Sequence, residues 1–502
     1  LEAHTLPCDE GFRKKLCYTI GRDRIIFADH DRDNARSHTQ GRVMTLRAYY
    51  FIVVSLGLAG CSVGPDYQKP PSDAVASWDG PATDNAWPSE NWWSGFQIGD
   101  LDQLMRDAKQ ANLDLRVAVA RLKQANAQAV ISGAPLLPSL SASASAERIR
   151  QQPSYRKGTN SYGGSLIASY QLDFWGALAD QAEAARLTAL ATQFDRETAE
   201  LTVQSAVADS YFSLLSLNER IALAEQNIRA SAGILDAYHA RFEVGTASQL
   251  DLAQQQNVLE EQRAALPPLL EQQRQSRDAL AVLVGRLPEQ VTAPVGQLAA
   301  VRLPAISAGL PSGLLARRPD VQSAEAQLRA ANQNVKAATA ALFPTIGLTA
   351  QGGGLSSALS GLFEPAGAFY VLSGSVSQPI FKNGALQAGI DLATGQYDQQ
   401  WATYRKTVIS AFAEVEDALI SVEMEGRRET AERAAVATAQ QAYDIAQEQL
   451  RYGTIDLLTV LNTQRSLFQA EDSLAQARLT HAQAVVGLFI ALGGGWQSPE
   501  EG

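Results

Sequence analysis

Beyond residue 61 the 502-residue sequence has no cysteine; the three it contains are Cys8, Cys17 and Cys61. Disulfide frameworks and thiolate metal centres are therefore excluded from the bulk of the fold. Methionine is as scarce, with only Met105 and Met424 after Met44, so a thioether relay for a soft metal has no material. Positive charge is in deficit: 42 Lys and Arg face 53 Asp and Glu, a formal net charge of -11. That balance argues against a phosphate-binding surface and against nucleic acid as a partner. No apolar run reaches the roughly 20 residues a membrane-spanning helix needs. With 46% hydrophobic and 19% charged residues, however, the composition is that of a folded chain with a large core.

The beginning of the chain is foreign to the rest, holding Cys8, Cys17 and three of the five histidines. Residues 1–43 read as a non-native upstream leader. From Met44, "MTLRAYYFIVVSLGLAGC" has Arg47 as a positive n-region, an apolar stretch from Ala48 to Ala59 and small residues before a cut. "LAGC" resembles the bacterial lipobox, which makes 44–60 a lipoprotein signal peptide and Cys61 the acylated first residue of the mature chain. Ser62, rather than Asp, is what that resemblance associates with transfer to the outer membrane. Residues 61–95, rich in Pro, Asp and Trp, read as a lipid-anchored arm packed over a surface.

The remainder is written twice. "NLDLRVAVARLKQ" from Asn112 lies over "RPDVQSAEAQLRA" from Arg318 at an offset of 206, pairing Asp114 with Asp320 and Pro138 with Pro344. From Gly176 the offset is 208, pairing Val207 with Val415, Asp209 with Asp417, Gly245 with Gly453, Thr246 with Thr454 and Gly285 with Gly493. A constant offset over so long a stretch means duplication of a whole unit. The repeats are placed at 96–300 and 301–496, with a tail at 497–502.

Each unit reads as helix, two strands, long helix, tight turn, long helix. Between Gly176 and Phe242 only Gly233 interrupts a proline-free stretch rich in Ala, Leu, Gln and Glu, so one helix of about 100 Å is expected. Leu214, Ile221, Ile228, Leu235 and Phe242 lie seven apart, as do Leu252, Leu259, Leu266 and Leu280, and Val460, Leu467, Leu474 and Leu488. Gln273 and His481 occupy corresponding breaks in that spacing, which predicts supercoiled helices. Pro267 and Pro268 are expected to bend or end the first returning helix. "PSLSASASAERI", "YGGSLIASYQLDF", "PTIGLTAQGG" and "YVLSGSVSQPIF" alternate small or apolar residues with Ser, Thr and Gln, as strands between lipid and water do. Four strands cannot close a membrane barrel, so the missing ones must come from other copies.

With "CSVGPDYQKP", "NWWSGF", "LLARRPDVQSAEAQL", "ALAVLVGRLP" and the twin Gly-Thr turns in view, the chain resembles the TolC-like outer membrane factors, in the NodT-type lipoprotein subfamily. The likeness runs from Met44 to Trp496. It implies a mainly α fold with membrane β structure: a homotrimer whose twelve-stranded β-barrel takes four strands per chain and continues into a coiled-coil α-helical periplasmic barrel. It implies an exit duct in the cell outer membrane, in contact with lipid, fed by an inner-membrane resistance-nodulation-division transporter through a periplasmic adaptor protein. No cofactor and no metal are implied. In the family the helical-hairpin tips dock the adaptor, and here they fall at Val244, Gly245, Thr246 and at Tyr452, Gly453, Thr454. Acidic residues above the tips constrict the periplasmic gate. Asp251 keeps one such position; in the second unit Asn462 stands where Asp is usual, with Thr459 one turn before it, which weakens the anionic ring.

Catalytic constellations are sparse. After the signal only His239 and His481 remain, on different helices, and His481 reads as a polar break in the seam. Ser154 and Lys157 form a lone S-x-x-K without companion motifs. The "GGG" stretches at 352–354 and 493–495 lack the strand-to-helix setting of a phosphate loop. "RRPD" at 317–320 fits a helix first turn with a capping or intersubunit salt-bridge role. The function expected is a passive duct for small toxic molecules such as drugs; the alternatives are a type I protein-secretion duct and a structural coiled-coil lipoprotein.

Overall fold

The structure is a computed structural model that describes residues 63–71, 78, 87–149, 158–306 and 311–497. The leader, the signal segment, Cys61, and the Ser154 and Lys157 pair lie outside the described residues. In chain order the elements are α1 (Gly99–Ala111), α2 (Leu113–Gly133), β1 (Ser139–Ile149), β2 (Thr159–Leu172), α3 (Ala177–Glu243), α4 (Gln249–Leu283), α5 (Pro311–Arg317), α6 (Pro319–Ala340), β3 (Thr345–Ser356), β4 (Ala368–Ser377), α7 (Ala385–Arg451) and α8 (Leu457–Ala491). The duplication is exact in length: α3 and α7 each have 67 residues, α4 and α8 each 35.

The four strands form one antiparallel sheet in sequence order, with β2 and β3 paired although four helices, α3 to α6, separate them in the chain. Register puts Leu140, Ala168, Ala350 and Leu372 in one row and Ala142, Leu166, Gly352 and Tyr370 in the next, all on one face. Ser139, Ser169, Thr349 and Ser373 form a row on the other. Alternation along a pleated strand thus sorts apolar residues to one side and hydroxyls to the other. The hydroxyls hold one another: Ser143 and Ser165 lie 3.0 Å apart and Gln351 donates to Ser165 at 3.1 Å. Gly352–Gly354 lie inside β3, so that "GGG" does sit on a strand; a side chain at Gly353 would come 2.1 Å from the Gly164 carbonyl.

At the base of the sheet α6 packs along both α3 and α7, and α8 packs on α7 and α3. Trp92 stacks on Phe489 with ring centroids 5.1 Å apart, and Phe96 meets Phe212 at 5.0 Å. Together with Leu101, Met105, Leu214 and Leu280 they form the larger core, which joins the arm to both repeats. A second core under α6 gathers Leu314, Leu328, Tyr404, Val415 and Leu488.

The two repeats close in the same way. Asn112 caps α2 and its side-chain amide donates to the Leu283 carbonyl at 2.7 Å. Arg318, its counterpart before α6, donates to the Ala491 carbonyl at 3.2 Å and pairs with Asp320 at 2.7 Å and Glu414 at 2.6 Å. The "RRPD" ion pairs therefore lie within one chain, with Pro319 at the first turn of α6. Gly285 and Gly493 fill matching crossings: a Cβ there would stand 2.3 Å from the Ala111 carbonyl and 2.0 Å from that of Arg317.

Two details depart from the sequence reading. Helix α4 continues through Pro267 and Pro268, so of the expected bend or end the end does not occur. Leu269 and Leu266, packed against Leu217 and Ala224, hold the segment where two backbone donors are missing. The seven-residue period is right, but in α3 the most deeply buried seam is Leu217, Ala224, Ser231 and Tyr238. Small and polar members hid it from a search for large apolar residues, whereas Val460, Leu467, Leu474 and Leu488 of α8 are all buried.

Candidate functional site

At the end remote from the sheet, each long helix turns back through the same short motif. Gly245 and Gly453 have φ of 76° and 72°, the left-handed conformation in which an L side chain is strained. Their amides donate to Phe242 and Leu450, while Thr246 and Thr454 donate from both N–H and Oγ1 to the carbonyls of Arg241 and Gln449 at 2.8–3.0 Å. The glycine and threonine thus satisfy the last carbonyls of the helix without outside help. No atom lies within 4 Å of a Cβ built on either glycine, so both turns face open space. Val244 and Tyr452 are each 73% exposed at the apices, with Leu250 and Leu458 beside them.

The returning helices start differently in the two repeats. In α4, Ser248 and Asp251 form a reciprocal capping box: the Ser248 amide donates to the Asp251 carboxylate at 2.8 Å and the Asp251 amide to Ser248 Oγ at 3.1 Å. In α8 the acid moves to the cap itself. Asp456 accepts from the Thr459 amide at 2.9 Å and from Thr459 Oγ1 at 2.5 Å. Those bonds, side chain first, hold the Asp456 carboxyl below the usual carboxylate range. Each tip consequently carries one carboxylate at a helix N-terminus, where the dipole favours it. Asp456 was not picked out from the sequence; its signal was the 208-residue offset from Ser248. Asn462 is exposed one turn beyond Thr459, while Asp251 is half-buried.

The two hairpins pack together through Tyr238, Val258, Leu457 and Leu461. Burial raises the Tyr238 phenol above its ordinary range. A groove of about 420 Å³ beside this contact is lined by Tyr238, Arg241, Tyr443, Gln447, Leu450 and Arg451. Higher up, Arg465 pairs with Glu261 at 3.0 Å and Arg220 with Asp472 at 2.6 Å, tying α8 to α4 and α3. His481 pairs with Glu429 at 2.8 Å, and Gly426 leaves the space its ring occupies. In the first repeat Gln273, the counterpart of His481, donates instead to Asn218, the counterpart of Gly426, at 2.7 Å. His481 is thus a register contact between α7 and α8. Among the described residues no group of three or more His, Cys, Asp or Glu could hold a metal, and no helix is long and apolar enough to cross a membrane.

The arm runs against α6. Pro65 accepts from Asn332 at 3.2 Å, Asp66 pairs with Lys336 at 3.1 Å and Lys69 with Glu325 at 2.6 Å. Further on, Trp78 meets Phe412 and Trp87 lies under Arg317.

The sequence profile of the outer membrane efflux protein family matches residues 104–286 and 310–494. The pyoverdine export outer membrane protein OpmQ of Pseudomonas putida is 37% identical over 471 residues, 91% of this chain and 99% of its own. The toluene efflux pump outer membrane protein TtgC of Pseudomonas putida is 34% identical over 467 residues, 90% of this chain and 96% of its own. Among solved structures, the open state of the Neisseria gonorrhoeae MtrE outer membrane channel superposes with a TM-score of 0.80 at 28% identity, covering 87% of this chain and 99% of MtrE.

Proposed function

Since the chain belongs to the outer membrane efflux protein family, we propose that three copies form the outer-membrane exit duct of a tripartite efflux system, passing small toxic molecules from an inner-membrane resistance-nodulation-division transporter through a periplasmic adaptor. The observation that carries this reading is a four-stranded sheet with one apolar face, continued by helical hairpins far too long for a globular domain. Its outer strands, β1 and β4, each keep one unpaired edge in the single chain, which lipid does not tolerate and which neighbouring copies would pair.

The helices support the same assembly. Within one chain α6 packs along α3, where Ala184, Leu187, Ala191 and Phe194 are buried. Leu392 of α7, the counterpart of Ala184, is 64% exposed, and Val117, Val130 and Ile131 of α2 are exposed where their α6 counterparts Ser323, Lys336 and Ala337 are buried. The uncovered faces of α2 and α7 are thus the two halves of a contact already made once inside the chain. A heterologous contact of this kind closes into a ring.

Adaptor docking is assigned to Val244, Gly245, Thr246, Tyr452, Gly453 and Thr454, whose exposed apolar apices and flanking groove suit a helical-hairpin partner. The gate is assigned to Asp251, Thr459 and Asn462, with Asp456 added because it carries the second hairpin's carboxylate. Purified protein in a planar bilayer is expected to give discrete single-channel steps. Asp251→Asn, which removes the charge and keeps a capping side chain, is expected to lower the cation preference, and Asn462→Asp to raise it. A protein that forms no pore ends the duct reading; unchanged selectivity in both variants puts the gate elsewhere.

Acylation of Cys61 is supported by the course of the arm. Gly64 sits against Lys336, close to the end of α6 at Ala340 and the start of β3 at Thr345. The described course of the arm thus lies beside the strand-bearing end of the molecule, with Gly64 three residues along the chain from Cys61. Intact mass of the membrane-extracted protein is expected to show a diacylglyceryl and fatty-acyl increment that Cys61→Ala abolishes; an unmodified mature chain overturns the anchor.

A further inference from the structure

Inside the chain, α3 and α8 meet along a polar seam. Ser216 Oγ donates to the Ala475 carbonyl at 3.3 Å, Arg220 pairs with Asp472 at 2.6 Å, and Arg478 pairs with Glu219. The 208-residue offset carries α3 onto α7 and α8 onto α4. Applied to these pairs it gives Met424 with Pro267, Arg428 with Ala264, and Arg427 with Leu270. Helix α7 packs chiefly on α8 and α6 within its own chain. Met424 and Leu270 are 44% and 38% exposed, and Arg428 and Ala264 are exposed as well.

The substitutions between the two seams are coordinated. The hydroxyl-to-carbonyl contact becomes a thioether opposite a proline ring, apolar on both sides. The carboxylate of Asp472 becomes Ala264, which has no acceptor on its side chain, yet Arg428 keeps the guanidinium of Arg220. A replacement acceptor comes from the backbone. Pro267 and Pro268, inside α4, carry no N–H, so the carbonyls of Arg263 and Ala264 lose their ordinary helical donors. The other returning helix, α8, has no proline and no such carbonyls. Arg428 is poised for a new acceptor, since its contact in its own helix, to Glu425, is long at 3.4 Å.

We propose that Arg428 of one copy donates to the Arg263 and Ala264 carbonyls that the proline pair uncovers on a second copy, with Met424 packed on Pro267, and that this clasp closes the lower helical seam between copies. It rests on the trimeric reading above and goes beyond it by naming the contact. A guanidinium presents several donors in a fixed fork, which suits two successive carbonyls better than an ammonium does. The seam between copies is thereby held by charge–dipole hydrogen bonds, while the seam within a copy is held by ion pairs.

Because the mature chain has no cysteine after Cys61, introduced thiols report cleanly. Native mass spectrometry of the wild-type protein first establishes the number of copies and so tests the trimeric reading by itself. Ala264→Cys with Arg428→Cys, treated with a short bismaleimide, is expected to give bands of two and three linked chains, and either single variant none. The intrachain control Arg220→Cys with Asp472→Cys is expected to leave the mass of one chain. A trimer whose 264 and 428 thiols do not link between chains overturns the clasp. Arg428→Ala is further expected to lower the temperature at which the trimer dissociates in detergent, and to lose that effect in a Pro267→Ala, Pro268→Ala background, where the helical donors are restored. An equal shift in both backgrounds overturns it too.

Discussion

Gly493→Ala is expected to lower the unfolding free energy by about 2–5 kcal/mol. Two costs add. The residue has φ of 86°, a conformation that costs a non-glycine residue about 1–2 kcal/mol. The new Cβ would also stand 2.0 Å from the Arg317 carbonyl, a backbone atom that cannot rotate away. Overpacking of that kind costs about 1–3 kcal/mol. Relief by movement is resisted on the C-terminal side, where the chain passes close to Leu201 at Gly494 and to the Ser89 carbonyl at Gly495. Gly453→Ala is the control: its φ of 72° is just as left-handed, but nothing lies within 4 Å, so only the conformational cost of about 1–2 kcal/mol applies. Denaturant titration of the two variants separates them, and equal losses would show that the close crossing contributes nothing.

Val244→Asp combined with Tyr452→Asp is expected to abolish efflux while leaving the duct assembled in the membrane. Both side chains are 73% exposed and bury nothing within the chain, so folding should change by no more than about 0.5 kcal/mol each. At an adaptor contact the same residues would sit at the centre of an apolar patch, where a truncated or charged anchor costs about 2 kcal/mol or more. Repeated over every hairpin tip, that loss takes docking below any working concentration. Accumulation of a fluorescent substrate in cells lacking other ducts measures it, with the abundance of the variant followed in outer-membrane fractions. Normal export at normal abundance would remove the tips from the docking surface.

Much of this was legible in the sequence because it is periodic. The 208-residue offset located both tips and both long helices, and period-2 alternation located the four strands and assigned them a lipid-facing and a water-facing side. Local chemistry was harder to see. Asp251 was read as a gate acid, yet its carboxylate is also half of a capping box with Ser248, which only the fold of the turn reveals. Asp456 went unremarked because its counterpart is a serine: the two repeats conserve the cap and exchange which position carries the charge. Ser231, Gln255 and Gln464 converge in a fully buried polar contact that no apolar search could find.

The sequence alone determined the duplication, the length of the proline-free long helix and the strand count, since these follow from composition and spacing along a line. Tertiary structure decided what lies across that line. Helix α4 stays helical through its two prolines because side chains from α3 hold it. The second "GGG" is a crossing of three backbone segments, so close that an added Cβ at Gly493 or Gly495 would stand about 2 Å from a neighbouring carbonyl, which no one-dimensional pattern encodes. The faces of α2 and α7 became recognisable as halves of one contact only once their counterparts in α6 and α3 were found buried against each other. Burial is a property of pairs of surfaces, and a sequence names only one member of each pair at a time.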